Sequence, residues 1–309
     1  MLSMISICIP IYNQDVSGLV EALQEQVNTL PVPVEILLLD DGSDDHFEKI
    51  NRKLEKTAFV NYSMLPENVG RSKIRNILAD KASFPYLLFL DCDTQIVRKD
   101  FLDSYLAETN KHTVVCGGHK YGEKPDNYEL LLHWLAGSKR EMKPLYVRKR
   151  RPYHSFMTGN FMIKRAVFDN IRFREDLRGY GHEDTLFGYD LKKHGVSIHH
   201  IDNPILHAGL EKSHHFLMKT RDGLQNLLIS YRITGYDSDY AKMIRILRTY
   251  RMIHYLKMCT PLSVLCKVLE KPMLTNLTGR KPCLWVFDLY KLGNLCRASA
   301  NPPPASTSR

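Results

Sequence analysis

The residues best suited to chemistry in this chain are carboxylates that follow apolar runs. Tyr86-Leu87-Leu88-Phe89-Leu90 leads into Asp91-Cys92-Asp93-Thr94, so two acids, one residue apart, stand at the end of a continuous apolar stretch. Such a run reads as a strand buried on both faces, which places Asp91 and Asp93 where the chain leaves the sheet. In open α/β sheets that rim is the ligand-binding edge. Two unpaired aspartates there repel each other and resist desolvation, so the pair calls for a cation; a divalent ion carrying a diphosphate meets that demand. Two further acidic clusters sit beside ordered elements: Asp40-Asp41-Gly42-Ser43 after an apolar run, and Glu183-Asp184 at the head of a helical pattern. Taken singly, each also fits a turn or a helix cap, because aspartate favours both. Together and in this order, they point to one constellation.

The elements that must position these acids alternate. Ser6 to Ile11 reads as a first strand, Leu19, Val20, Leu23 and Val27 recur at helical spacing, and Val34 to Leu39 reads as a second strand. A helix around Asp45 to Leu54, a short strand at Phe59 to Met64 and a helix opened by Asn68-Val69-Gly70-Arg71 precede the Tyr86 run. Strands alternating with helices imply a mostly parallel sheet covered on both sides, an α/β fold. After Val114-Val115-Cys116 a polar, aromatic stretch with the basic run Arg148-Lys149-Arg150-Arg151 interrupts the pattern. Strands then return at Asn160 to Ile163 and Val196 to His199, with a helix from Glu183 to His194 and helical patterns from His214 and from Tyr240 to Leu256.

The 309 residues suffice for one large domain and an appendage, and 44% apolar with 25% charged residues is ordinary for a globular protein. Seven scattered cysteines without a C-x-x-C spacing argue against a zinc knuckle or a disulfide framework and favour a reducing compartment. Met1-Leu2-Ser3-Met4 carries no export pattern, and no window approaches the roughly 18 apolar residues of a membrane span, so a cytosolic location is expected. The net charge of +9 is uneven: from Tyr240 to Arg297, eleven lysines and arginines face only Glu270 and Asp288. Lys242, Arg245, Arg248 and Arg251 recur every third residue on a helix that could lie on an anionic membrane, at the inner face of the cell membrane, or pack on the catalytic domain with a solvated basic face. No nucleic-acid recognition motif accompanies the charge.

Pro10-Ile11-Tyr12-Asn13, Leu39-Asp40-Asp41-Gly42-Ser43, Asn68-Val69-Gly70-Arg71, Asp91-Cys92-Asp93 and Gly179-Tyr180-Gly181-His182-Glu183-Asp184 resemble, in order and spacing, the motif set of family 2 inverting glycosyltransferases of the bacterial, non-processive type. The resemblance covers about Ser6 to Leu210. It implies a GT-A fold, a Rossmann-like nucleotide-binding sheet flanked by helices, in residues 1–235; charge and composition add a basic helical C-terminal region at 236–298 and a polar, Pro-rich, disordered tail at 299–309. It also implies roles. Pro10 and Tyr12 line the base pocket, Asp40 hydrogen-bonds the base or ribose with Asp41 beside it, and Arg71 is a candidate for the same pocket. Asp91 contacts the ribose or a metal-bound water with Cys92 alongside, and Asp93 binds Mn²⁺ or Mg²⁺. Asp184, with Glu183 beside it, is the base, ionised at neutral pH because the helix start favours carboxylates. His207 resembles the late histidine that completes the metal shell and reads equally as a structural histidine. Thr158-Gly159-Asn160 resembles the loop beneath the donor sugar and reads equally as a turn before a strand.

The implied activity is transfer of one sugar from a nucleoside-diphosphate sugar, expected to be a UDP-sugar, to a hydroxyl of a glycan or lipid-linked acceptor in surface polysaccharide assembly. The Gln/Arg-x-x-Arg-Trp signature of processive synthases is missing, and Trp134 and Trp285 stand in unrelated contexts. A haloacid dehalogenase-type phosphotransferase matches Asp91-Cys92-Asp93-Thr94 only superficially, since its threonine falls one position later and near the N-terminus. A sugar nucleotidyltransferase needs a Gly-rich loop that Pro10-Ile11-Tyr12-Asn13-Gln14 cannot supply. A catalytically inactive carbohydrate-binding relative is the remaining alternative, against which the intact acids argue.

Overall fold

The computed structural model describes residues 4–177 and 179–300; Met1 to Ser3, Arg178 and the Pro-rich segment from Asn301, read as a disordered tail, lie outside the described residues. The chain forms two compact units. The first comprises Met1–Gly122, Met142–Glu175 and Phe187–Gly209, and the second Glu123–Glu141, Asp176–Leu186 and Leu210–Arg309.

In the first unit, side-chain alternation decides how the sheet is covered. Strands β1 (Ile5–Ile11), β2 (Val34–Asp40), β3 (Val60–Met64) and β4 (Tyr86–Leu90) pair in parallel in the order β3-β2-β1-β4. Successive side chains of a strand point to opposite faces. Ile7, Ile9, Ile36 and Leu38 enter one core with Leu19 and Leu23 of the helix Ser17–Val27. Cys8, Leu37, Leu87 and Phe89 enter the other with Ile74 and Leu78 of the helix Arg71–Lys81. Both faces are buried, which is why these strands are continuous apolar runs rather than alternating ones.

Further chain extends this sheet. β8 (Asn160–Lys164) runs antiparallel between β4 and β6 (Val114–Cys116), and β9 (Ile198–His200) pairs in parallel with β6 at the edge, making seven strands. A small second sheet joins β5 (Thr94–Gln95), β10 (Ile205–His207) and β7 (His119–Tyr121). Phe89, Phe161 and Phe168 are fully buried, each worth roughly 2 kcal/mol of apolar transfer. Phe89 stacks on Phe161 at 5.0 Å between ring centroids.

The second unit is helical. Phe216 and Leu217 of the helix Ser213–Ile233 share a core with Leu132, Met273 and Leu277, and with Phe287 of the helix Leu284–Ala300. That shared core groups Ser213–Ile233 with the C-terminal helices, and the last of the sequence boundaries between the two units falls at Gly209 and Leu210. One sequence expectation changes here. The helix expected from Tyr240 to Leu256 is two, Ser238–Met243 and Arg245–Tyr255, because Ile244 adopts extended backbone, and Lys242 therefore leaves the arginine stripe. Within the basic run of the first unit, Arg148 is buried: its guanidinium donates to the carbonyls of Cys116 and Ile201 and meets His200 Nδ1. Among the described residues no helix is long and apolar enough to cross a membrane.

Candidate active site

Parallel pairing brings the C-terminal ends of β2, β1 and β4 side by side, with Ile11 opposite Asp40 and Cys8 opposite Phe89. The loops leaving these ends carry most of the predicted residues. Pro10 is half-buried in β1, whereas Tyr12 just beyond it is 51% exposed. The Tyr12 backbone N–H lies against Cys92, whose thiol burial and the charge of Asp93 push up to about 12. Asn13, with φ of 48°, receives nothing from glycine-like freedom and is held instead by two bonds: its N–H donates to Ser43 Oγ and its Oδ1 accepts from the Asp44 N–H, both at 2.8 Å.

The first acidic cluster is internal. Asp40 is 0% exposed; one oxygen accepts from the Ser43 N–H at 2.8 Å and the other from the Tyr62 hydroxyl at 3.0 Å. Asp41 accepts from the N–H groups of Val69 and Gly70 at 2.7 and 3.1 Å, which ties the approach to the helix Arg71–Lys81 down to β2. Both Asp40 oxygens thus already accept bonds, one from the loop after β2 and one from Tyr62 of β3, and the side chain is closed to solvent. Asn160 is held in the same way. Its side chain is buried, donates to the carbonyls of Gly118 and Asn203 at 2.7 and 2.9 Å, and accepts from the Tyr105 hydroxyl at 2.6 Å.

The second cluster is the one that stays chemically open. Arg75, 2% exposed on the inner side of its helix, donates to Asp91 Oδ1 at 2.6 Å. Burial alone pushes the Asp91 carboxyl up, but the guanidiniums of Arg75 and Arg71, with His207, outweigh it and hold it below the usual range. Asp93 goes the other way: burial and the neighbouring Asp91 charge raise its proton affinity, only partly offset by His207 and Arg71. Antiparallel pairing of β5 with β10 sets Thr94 opposite His207, and His207 Nδ1 lies 3.6 Å from Asp93 Oδ2. Room for the two carboxylates comes from glycine: a methyl on Gly159 would stand 2.6 Å from Asp91 Oδ2, and one on Gly209 would strike Asp93 Oδ2. The structure thus brings Arg71, Asp91, Cys92, Asp93 and His207 together.

Glu183 and Asp184 belong to the second unit and open the helix Glu183–Lys193. The turn before it is left-handed, with positive φ at Gly179, Gly181 and His182; a side chain on Gly181 would press on the Gly223 backbone at 3.3 Å. Asn226 donates to the Tyr180 carbonyl at 3.0 Å and fixes that turn. Asp184 Oδ1 accepts from the Thr185 N–H at 2.6 Å. Burial, then the adjacent Glu183 charge, pushes the Asp184 carboxyl up to about 7, and burial takes the preceding His182 down to about 4. The helix start alone does not set the proton affinity of Asp184: desolvation and the adjacent Glu183 push its carboxyl up against the terminal partial charge.

Sequence reasoning missed Arg75 and Gly209. Arg75 was legible in principle: it sits between Ile74 and the Ile77–Leu78 pair, and a cation on an apolar helix face demands a buried anion. Gly209 offered no signal until β5 and β10 paired.

The family model described as glycosyl transferase family 2 matches residues 6–172. A Haemophilus influenzae protein described as an uncharacterized glycosyltransferase is 33% identical over 203 residues, covering 62% of this chain and 73% of that protein. The validoxylamine A glucosyltransferase of Streptomyces hygroscopicus subsp. limoneus is 29% identical over 223 residues, and the match spans 62% of this chain and about half, 49%, of that relative. Among solved structures, the mannosyltransferase PcManGT from Pyrobaculum calidifontis, in complex with GDP-Man and Mn²⁺, is similar with a TM-score of 0.58 at 14% identity, over 97% of this chain and 86% of that one. S. aureus TarS 1-349 with UDP-GlcNAc has a TM-score of 0.50 at 16% identity over 96% and 92% of the two chains. These likenesses establish a GT-A-type fold, and with the family match over more than half of its length the chain belongs to glycosyl transferase family 2.

Proposed function

We propose that this glycosyltransferase is metal-dependent, inverting and non-processive, moving one sugar from a nucleoside-diphosphate sugar, a UDP-sugar first among them, to a hydroxyl of a glycan or lipid-linked acceptor in cytoplasmic steps of surface polysaccharide assembly. The observation that carries the reading is the contrast between two carboxylates of separate acidic clusters: Asp91 at a strand end, held ionised beside Arg75 at 2.6 Å, and Asp184 at a helix head, its proton affinity raised by burial and the adjacent Glu183. Neighbours of like fold support the donor class: one is solved with UDP-GlcNAc and another with GDP-Man and Mn²⁺.

A divalent cation fits the first pair. Asp93 has its proton affinity raised by burial and by Asp91, a charge arrangement that a cation relieves, and His207 lies within reach of the same carboxylate. Asp93 and His207 would hold it; a carboxylate with an imidazole suits Mn²⁺ better than Mg²⁺, which prefers oxygen alone. When bound, such an ion neutralises the leaving diphosphate as the glycosidic bond breaks. Asp91, kept ionised by Arg75 and Arg71, orients the ribose side of the donor, and the exposed Tyr12 ring offers a face for the base. Asp184 takes the proton from the acceptor hydroxyl as its oxygen attacks the anomeric carbon, a role suited to a carboxylate titrating near neutrality. One base and one in-line attack invert the anomeric centre.

The test is a thermal-shift screen of nucleotide-sugars with and without Mn²⁺, followed by the anomeric configuration of the product. A donor that stabilises the protein only with Mn²⁺ and gives an inverted product supports the reading. Metal-independent donor binding, or retained configuration, overturns it.

A further inference from the structure

We propose that the helices Arg245–Tyr255 and Cys259–Val268 form a surface that docks onto a bilayer rich in anionic phospholipid and partly inserts into it. The inference goes beyond the transferase reading and needs neither its donor nor its acceptor.

The helix Cys259–Val268 is apolar on two faces. One buries Cys266 against Gly293 of the helix Leu284–Ala300, so tightly that a methyl on Gly293 would strike the sulfur. The other presents Pro261, Val264, Leu265 and Val268, spaced as one stripe at i, i+3, i+4 and i+7, to solvent, with Val268 73% exposed. The turn leading into it adds Leu256 and Met258, and the end of the preceding helix adds Met252 and Tyr255, the latter 85% exposed. Single exposed apolar residues are ordinary; this many within 17 positions of one another form a patch that a soluble surface does not keep without a use.

Charge identifies the occupant. Arg248, Met252 and Tyr255 fall on one exposed face of Arg245–Tyr255, flanked by Arg245 and Arg251, and Lys257 and Lys267 are exposed beside the apolar stripe. Among the described residues none of these five cations has an ion pair. The two carboxylates between Tyr240 and Ala300 are occupied elsewhere, Glu270 by Arg221 and Asp288 by Arg140, each at 2.7 Å. Unpaired cations interleaved with apolar side chains and a tyrosine match the headgroup and upper acyl region of an anionic leaflet. A second copy of this chain would set like charges against each other, and a nucleic acid would leave the Val264 stripe uncovered. Helices of 11 and 10 residues lie on a membrane rather than cross it.

The full chain is tested by co-sedimentation with vesicles of phosphatidylcholine alone or with about 30 mol% phosphatidylglycerol. Binding is expected on the anionic vesicles and is expected to fall with added salt. Replacing Arg245, Arg248 and Arg251 by Gln should weaken it about 100-fold, and replacing Val264, Leu265 and Val268 by Ser at least about tenfold. All six positions are solvent-facing or flank the solvent face, so melting temperature and Mn²⁺-dependent donor binding should match wild type in both variants, which separates failure here from failure of the transferase reading. Wild-type indifference to phosphatidylglycerol, or undiminished binding by the Ser variant, overturns the proposal. So does a dimer in solution that the Ser variant dissociates, because the patch would then be covered by a second copy.

Discussion

Asp91 after β4 and Asp184 at the head of the helix Glu183–Lys193 each belong to a close acidic pair, yet their surroundings drive their protons in opposite directions. Asp91 has Arg75 at 2.6 Å and Arg71 nearby, so it stays charged despite burial. Asp184 has Glu183 and Glu141 as its charged neighbours and a threonine as its donor, so burial wins and its carboxyl titrates near 7. A carboxylate beside fixed cations is suited to holding charge through a reaction; one raised by burial next to another acid is suited to exchanging a proton. The chemistry of each pair is decided by what surrounds it, not by the two acids themselves.

The contrast can be broken first at Asp93. Asp93→Ala should remove Mn²⁺-dependent donor binding and cut transfer by roughly 10³-fold or more, read by calorimetry and by turnover. Asp184→Asn should leave donor affinity intact while turnover falls about 10³-fold. Turnover near wild type in that variant removes the base assignment. Wild-type kcat/KM should rise with pH to a plateau with an apparent pKa of about 7, since the acting form is the carboxylate.

Smaller effects sharpen the comparison. Arg75→Gln removes the 2.6 Å ion pair from the half-buried Asp91, leaving it only the more distant Arg71 and His207, and should cost about 2 kcal/mol in denaturant unfolding together with donor affinity, whereas the Asp184 pH profile should not move. Gly209→Ala should weaken donor binding about tenfold by displacing Asp93, with little loss of stability. The smallest effect is thermodynamic. Asp184 has a folded pKa above its unfolded value of about 3.9, so the stability it contributes is present at low pH and lost as pH rises through about 7. The Asn variant should therefore melt above wild type at pH 8, with the gap closing towards pH 4.

Much of the fold was legible because period and burial agree. The runs Ile5–Ile11, Val34–Asp40 and Tyr86–Leu90 are apolar on both faces, and only a covered parallel sheet uses such strands. The acids that follow them were legible as a set because each ends an apolar element. Their individual duties were not. Asp40 and Asp41 look in sequence like Asp91 and Asp93, but in the fold the first two accept from Ser43, Tyr62, Val69 and Gly70, whereas Asp91 meets Arg75 and Asp93 meets His207. The arginine stripe from Lys242 misread a break at Ile244, because side-chain periodicity runs on through a residue whose backbone does not.

By itself, then, the order of residues determined the strands of the parallel sheet and that acids cluster at their ends, since hydrophobic period and turn chemistry are local. Tertiary structure decided which acid meets a cation and which meets another acid, because Arg75 reaches Asp91, and His207 reaches Asp93, only after segments far apart in the chain have paired. Proton affinity depends on burial and on charges a few ångströms away, and those distances exist only in the folded chain.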